Sequence, residues 1–434
     1  MVSPNDSSLT SHYNWARVIK HEMVHVVTLQ QTDYNCPHWF TEGLAVWSEG
    51  YPRPQRWNQL LADRVPNGRL FNLDTINFRF TRPHSSEDWQ MAYCQAELYV
   101  EYALEEHGPQ AIHELLQAYA GNLATEKAIA RAFAVSQDTF EQGYRQFLKQ
   151  VAAELVRVGA PDRRSFFELL QARREDPTDA DLTARLADAH LRRGAAREAS
   201  ELAEEAARRD PGNQLAAYVL ARLHVRAGRT SQAIELLERR LDRTRPHPKT
   251  LNLLAGLRLK AEDYAEAAQL YELGVKHNPH DSNWLRALAR VYVMAGNDEK
   301  LAGVLESLAS SDPDDAGIRK KLAQMALSRG DFDSAALWAN RALEIDVMDA
   351  DIHRVLAKAL ANRHNYALAI EELKIAVDLN PDVPQTRLAL ADAYLQDGDE
   401  DGARRVLEEL LMREPHFPPA RNLLESLEEP QDRD

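Results

Sequence analysis

Cysteine is almost absent, with two residues in a chain of 434. Two thiols cannot build a disulfide framework, so stability must come from packing, and the redox compartment is left open. Cys36 and Cys94 are either one bridge or two buried thiols. Basic charge is in short supply: 52 Lys and Arg stand against 67 Asp and Glu, a net charge of −15. That balance excludes binding to nucleic acid or anionic lipid through bulk electrostatics. No apolar run reaches the length of about 18 residues that a membrane span needs. The first residues, Met1-Val2-Ser3-Pro4-Asn5-Asp6, have neither the basic start nor the apolar centre of a signal peptide. Apolar residues are plentiful at 44%, so two or three packed domains are within reach of the chain.

What is there begins with His21-Glu22-Met23-Val24-His25, followed 17 residues later by Glu42 in Trp39-Phe40-Thr41-Glu42-Gly43-Leu44-Ala45. The run from Trp15 to Leu29 has helical periodicity, and residues four apart on a helix share a face, so the two imidazoles can close on one ion. Ile19, Met23, Val26 and Val27 fall on the side away from the histidines. Glu22 lies on the flank of the histidine face, within reach of a metal-bound water. A catalytic zinc needs a third protein ligand and an open position. Glu42, in a second helical pattern from Pro37 to about Glu49, is the candidate. The expected cofactor is one zinc ion held by His21, His25 and Glu42. His38 shares the face of Glu42 and is either a substrate-binding or spare-ligand residue or a partly exposed first-turn histidine. Trp39 and Trp47 read as core.

HExxH followed by W-x-x-E-G-x-A resembles the gluzincin clan of metallopeptidases, in particular the peptidase MA-like family, over residues 12 to 150. The resemblance implies that His21, His25 and Glu42 hold zinc and that Glu22 is the general base. It also implies a tyrosine from a downstream helix that steadies the oxyanion. Tyr93 matches that residue, the alternative being a half-buried aromatic beside Tyr99 and Tyr102. Gluzincins place a β-sheet ahead of the motif helix, yet only 20 residues precede His21 and no alternating apolar stretch suits several strands. The expectation is a helical remnant of such a domain, either lacking its N-terminal part or cut from a longer protein, with a poorly covered apolar back on the motif helix. The aminopeptidase motif G-x-M-E-N does not occur.

Residues 50 to 86 have weak periodicity and read as a cleft wall or lid with at most a short strand in Arg69 to Phe80. Helical patterns follow over Glu87 to Glu106, Pro109 to Tyr119, Thr125 to Phe133 and Gln137 to about Val158.

Beyond Asp176 a different order sets in. Pro177, Pro211, Pro279, Pro313, Pro381 and Pro415 lie on one 34-residue grid. Ala187, Ala221, Ala255, Ala289, Ala323, Ala357 and Ala391 keep the same phase, as do Gly194, Gly228, Gly296, Gly330 and Gly398. This resembles the tetratricopeptide repeat, a helix-turn-helix unit of that period. The expected fold is therefore mainly α, a peptidase-like helical domain followed by an α-solenoid. Its parts are 1–150, junction helices at 151–179, seven repeats at 180–415, and a capping helix and tail at 416–434. Arg164 to Arg174 falls where a helix of a preceding repeat belongs, which favours a stacked join over a flexible linker.

In such repeats the fifth and ninth residues of each first helix face the concave surface. Here those positions include Arg222, Arg286, Arg290, Lys320, Arg354 and Lys358. They are either a groove for an acidic segment or chain terminus of a protein partner, or solvated charges paired with neighbouring acids. The reading of the whole is a zinc peptidase whose repeats bind a protein substrate or adaptor. The alternative is an interaction scaffold with an inactive peptidase-like part. The compartment is open between cytoplasmic and, for a fragment, periplasmic.

Overall fold

The computed structural model describes residues 13–156, 164–279 and 281–428. These residues form twenty-four α-helices and no strand. The first eight are α1 (Trp15–Gln31), α2 (His38–Glu49), α3 (Gln55–Arg64), α4 (Asn77–Thr81), α5 (Ser86–His107), α6 (Ala111–Ala120), α7 (Thr125–Phe133) and α8 (Gln137–Val156). Residues 69 to 80 hold no strand but the short helix α4. The end of the last pattern, at Val158, lies outside the described residues. α9 (Phe166–Glu175) opens with a capping box between Ser165 and Glu168.

Fourteen helices then alternate with short turns. They are α10 (Ala180–Arg192), α11 (Ala196–Arg209), α12 (Gln214–Arg226), α13 (Thr230–Arg240), α14 (Pro248–Lys260), α15 (Tyr264–His277) and α16 (Ser282–Met294). After them come α17 (Asp298–Ser311), α18 (Ala316–Ser328), α19 (Phe332–Leu343), α20 (Ala350–Asn362), α21 (Tyr366–Leu379), α22 (Pro384–Asp397) and α23 (Glu400–Arg413). α24 (Pro418–Glu428) closes the array.

The 34-residue step has a local cause at each helix start. Asp179, Asn213, Asp281, Asp315 and Asp349 stand on one phase and each accepts a backbone N–H of its own first turn. Such caps satisfy donors that have no partner inside the helix. The two remaining points on this phase, His247 and Val383, make no side-chain cap, and both precede a proline at the first helical position. Proline there removes a donor that would otherwise need a partner and presets φ.

The chain divides into two compact units, and the division runs through α1, α2 and α17. One unit holds residues 26–47 and 52–304. Its N-terminal core is aromatic: Trp39 and Phe40 of α2 are fully buried, Trp39 packs 5.4 Å from Tyr99 of α5, and Tyr99 stacks on Tyr144 of α8 at 3.6 Å. Trp47 is not core, being 44% exposed. In the repeats, Ala187, Ala221 and Ala255 have no exposed surface, which lets the paired helices approach closely. α9 packs on this array through Leu169 against Leu186 and Ala189, and Arg173 pairs with Glu205 of α11 at 2.7 Å. The other unit holds the first turns of α1, residues 48–51 and everything from Leu305 onward. Its core is again alanine-rich, with Ala323, Ala335, Ala339, Ala342 and Ala359 around Ile352 and Leu356.

Candidate metal centre

α1 carries His21 and His25 on one face, and their rings meet edge to face with centroids 4.9 Å apart. The turn after α1 is held by Thr32, whose hydroxyl donates to the Thr28 carbonyl at 2.7 Å, and by Asn35, which donates to the Thr32 carbonyl. Asp33 and Tyr34 take left-handed conformations there. α2 is then bolted to α1 by a buried hydrogen bond of 2.8 Å between the Thr28 and Thr41 hydroxyls. On the other side of Glu42, Gly43 lies against the backbone of α5: a Cβ built there would stand 2.3 Å from the Ala96 carbonyl oxygen. Glu42 is thus fixed between a bond to one helix and a close contact with another. Its carboxylate and the two imidazoles converge, with one ligand atom from each lying within 4.8 Å of the others. Two imidazole nitrogens and a carboxylate oxygen are a donor set suited to zinc with a position left open.

Glu49 escapes the motif pattern. Its Oε1 accepts from His21 Nδ1 at 2.8 Å, because a carboxylate can only accept, so the proton sits on Nδ1 and, in the neutral ring, the lone pair is on Nε2. Glu49 Oε2 accepts from Arg17 Nη1 at 2.6 Å. Burial raises the Glu49 carboxyl, but the hydrogen bonds from His21 and Arg17 outweigh it and hold the group below the usual carboxylate range. Arg17 is pushed down by burial and raised on balance by Glu49 and Asp314. The spacing does hold a signal: Arg17 precedes His21 by one turn, and Glu49 follows Glu42 by two.

Glu22 is exposed on the flank of α1. Tyr93, half-buried on α5, packs its ring against Phe80 at 5.1 Å and Trp89 at 4.7 Å. His38 is exposed at the first position of α2, and its ring meets the same Phe80 at 6.0 Å. Phe80 therefore stands between the two candidate oxyanion donors. Cys36 and Cys94 are unbridged and buried. Burial pushes the Cys36 thiol up to about 12 and raises that of Cys94 well above its ordinary range. The apolar back of α1 is open, as its residues imply: Ile19, Met23, Val26 and Val27 are between 45% and 53% exposed.

The cationic ladder is partly neutralised. Lys320 Nζ lies 2.7 Å from Asp349 and 3.0 Å from Asp351, and Arg354 also pairs with Asp351. Arg286, Arg290 and Lys358 are exposed. Arg222, with Tyr218, Lys249, Asn252, Leu253, Gly256 and Leu257, lines a cavity of about 210 Å³. Among the described residues no helix is long and apolar enough to cross a membrane.

Residues 9–150 match the family model of the Peptidase MA superfamily. Tetratricopeptide repeat models match residues 252–300, 302–347 and 360–427. The chain joins a Peptidase MA superfamily domain to tetratricopeptide repeats. A model of the anaphase-promoting complex, cyclosome, subunit 3 matches residues 192–274 of the repeat part. No curated protein matches the chain. Among solved structures, a MamA protein is 18% identical at a TM-score of 0.35, covering 39% of this chain and 92% of its own. MamA from Desulfovibrio magneticus RS-1 is 15% identical at 0.32, covering 42% and 97%. A thermophilic TPR protein from Thermus thermophilus is 23% identical at 0.28, covering 42% and 98%. At these scores the likeness carries no argument about activity. The peptidase MA domain spans α1 to α8, so the converging side chains belong to it and not to the repeats.

Proposed function

We propose that the chain is a zinc-dependent peptidase whose repeats bind a protein substrate or adaptor. The observation that supports this reading is the convergence of His21, His25 and Glu42 inside a Peptidase MA superfamily domain. In this reading those three side chains hold one zinc ion. Zinc bound there supplies Lewis acidity, polarising a carbonyl and lowering the pKa of a bound water to about 7. The Glu22 carboxylate takes a proton from the attacking water and gives it to the leaving amine. Its exposed position leaves it accessible to substrate. Tyr93, or in its place His38, donates a hydrogen bond to the charge that develops on the attacked carbonyl. By accepting from Nδ1, Glu49 favours the His21 tautomer whose Nε2 lone pair can bind metal.

The test combines metal analysis with proteolysis. Elemental analysis of purified chain should find one zinc in the wild type and none in His25→Ala. A casein or peptide-library digest should show hydrolysis by the wild type, while Glu22→Gln retains zinc and loses cleavage. Full cleavage by Glu22→Gln would exclude this mechanism. A wild type that binds zinc and cleaves nothing would favour an interaction scaffold with an inactive peptidase part.

A further inference from the structure

Three side chains connect a repeat turn to His21. Asp314 lies in the turn between α17 and α18, where its own N–H donates to Asp312 Oδ1 at 3.2 Å. Its Oδ2 and Oδ1 accept from Arg17 Nη2 at 3.2 and 3.3 Å. Arg17 Nη1 donates to Glu49 Oε2 at 2.6 Å, and Glu49 Oε1 accepts from His21 Nδ1 at 2.8 Å. The inner members are well shielded, with side-chain exposure of 16% for His21 and 12% for Glu49. The same turn also fixes the start of α1. Asn14, 1% exposed, donates its N–H to Asp314 Oδ1 at 2.8 Å and its side-chain amide to the Pro313 carbonyl at 3.4 Å. The Asn14 amide oxygen in turn accepts from Arg17 N–H at 2.8 Å and caps α1. The next repeat turn adds two acceptors: the Glu344 carbonyl takes the Trp15 N–H at 3.1 Å, and the Leu343 carbonyl takes its indole N–H at 3.2 Å.

From this geometry we infer that Asp314, some 290 residues from the motif, is a positioning residue for the metal centre, acting through Arg17 and Glu49 on His21. The inference rests on the metal reading above and goes beyond it by giving the repeats a part in the site itself. The physical reason is directional. A guanidinium is a planar fork, so Asp314 on one nitrogen sets the direction in which the other meets Glu49. A carboxylate pinned through one oxygen presents the other to Nδ1 at a fixed angle, and this sets the plane of the imidazole and the aim of Nε2. Asp314 is not a repeat consensus residue. The same phase holds Thr178, Gly212, Pro246, His280, Met348 and Asp382 in the other repeats. The acid stands on the turn that meets Arg17.

The experiment uses the full chain as wild type, Asp314→Asn, Glu49→Gln, the double variant and His25→Ala. Zinc affinity is measured by competition with a chromophoric chelator, and cobalt(II) substitution reports ligand geometry through its visible bands. Removing the partner of a metal-binding histidine costs about 10–100-fold in affinity, and a residue one step further out should cost about 3–10-fold. Asp314→Asn keeps an oxygen for the Asn14 N–H and loses the charge that holds Arg17. We expect weaker zinc binding, altered cobalt bands, and no further loss when Asp314→Asn is added to Glu49→Gln. Zinc binding by the wild type with Asp314→Asn unchanged would overturn the inference and leave the metal reading standing. So would full additivity in the double variant, which would mean that the turn merely stiffens α1. A wild type that binds no more zinc than His25→Ala would remove the metal reading, and the inference with it.

Discussion

Gly43→Ala is a one-carbon change whose cost follows from the packing of α2 on α5. The new Cβ would stand 2.3 Å from the Ala96 carbonyl oxygen, 2.7 Å from its carbon and 3.0 Å from Val100 Cγ2. The first two atoms are helix backbone and cannot rotate aside. To recover an ordinary contact the two helices must part by roughly 1 Å, which loosens the interdigitated aromatics behind them. Overpacking typically costs about 1–3 kcal/mol, and a backbone wall places this site near 3 kcal/mol. For a cooperative unit of about 150–250 residues that lowers the melting temperature by roughly 6–12 °C. Gly303 in α17 is the matched control, since a Cβ there meets nothing within 4 Å. Gly303→Ala should stabilise by about 0.5–1 kcal/mol, the ordinary helix-interior difference. The assay is thermal unfolding of both variants by circular dichroism and calorimetry, with zinc content measured in parallel because Glu42 is the adjacent residue. A Gly43→Ala protein that melts with the wild type and keeps its metal would refute the packing argument.

Three further outcomes are expected. Glu49→Gln should lower zinc affinity about 10–100-fold while leaving the three ligands in place, as read by chelator competition; an unchanged affinity would remove Glu49 from the site. Glu262 occupies, at φ 59°, the turn position that Gly194, Gly228, Gly296, Gly330 and Gly398 fill in other repeats. Glu262→Gly should therefore stabilise by about 1 kcal/mol in chemical denaturation, and a loss of stability would show that the left-handed turn carries no strain. His353 is buried with Nδ1 2.6 Å from Glu372 Oε2 and Nε2 3.0 Å from the Val347 carbonyl, so both nitrogens face acceptors and both bonds form only in the doubly protonated ring. Burial opposes that charge, but Glu372, the Val347 carbonyl and Asp349 raise the pKa above its ordinary value. Stability from this group is thus full below about pH 6.5 and is lost as pH rises through the folded value. The wild-type melting temperature should fall across that window, and His353→Gln should flatten the fall; equal slopes in the two proteins would remove His353 as the cause.

The repeats were legible because their signal is redundant: prolines, alanines and turn glycines recur in phase, and the aspartate caps at 179, 281, 315 and 349 add a further register. The metal ligands were legible because four-residue spacing on one helix and a carboxylate on the next is a local pattern. Glu49 was harder to see, since its partner His21 lies 28 residues earlier and only helix geometry links them. Asp314 was out of reach, as no periodicity relates it to Arg17. α3 and α4 were missed for a different reason: Gln55–Arg64 is short and mostly polar, and Asn77–Thr81 is a single turn. Trp47 reads as core by type, yet it is 44% exposed near the end of α2, while Phe40 and Leu44, earlier on the same face, are buried. Lys320 and Arg354 look like a receptive ladder only until Asp349 and Asp351 are placed beside them.

Tandem arrays ordinarily gain and lose units freely, because each unit sees only its neighbours. The hold of the Pro313-Asp314 turn on Arg17 and Asn14 removes that freedom. Exchange of that turn for the next one along would present Val347 and Met348 where a proline carbonyl and a carboxylate now stand. The repeat that carries Pro313 and Asp314 is therefore not interchangeable with its neighbours, for its turn is written to meet one helix and no other.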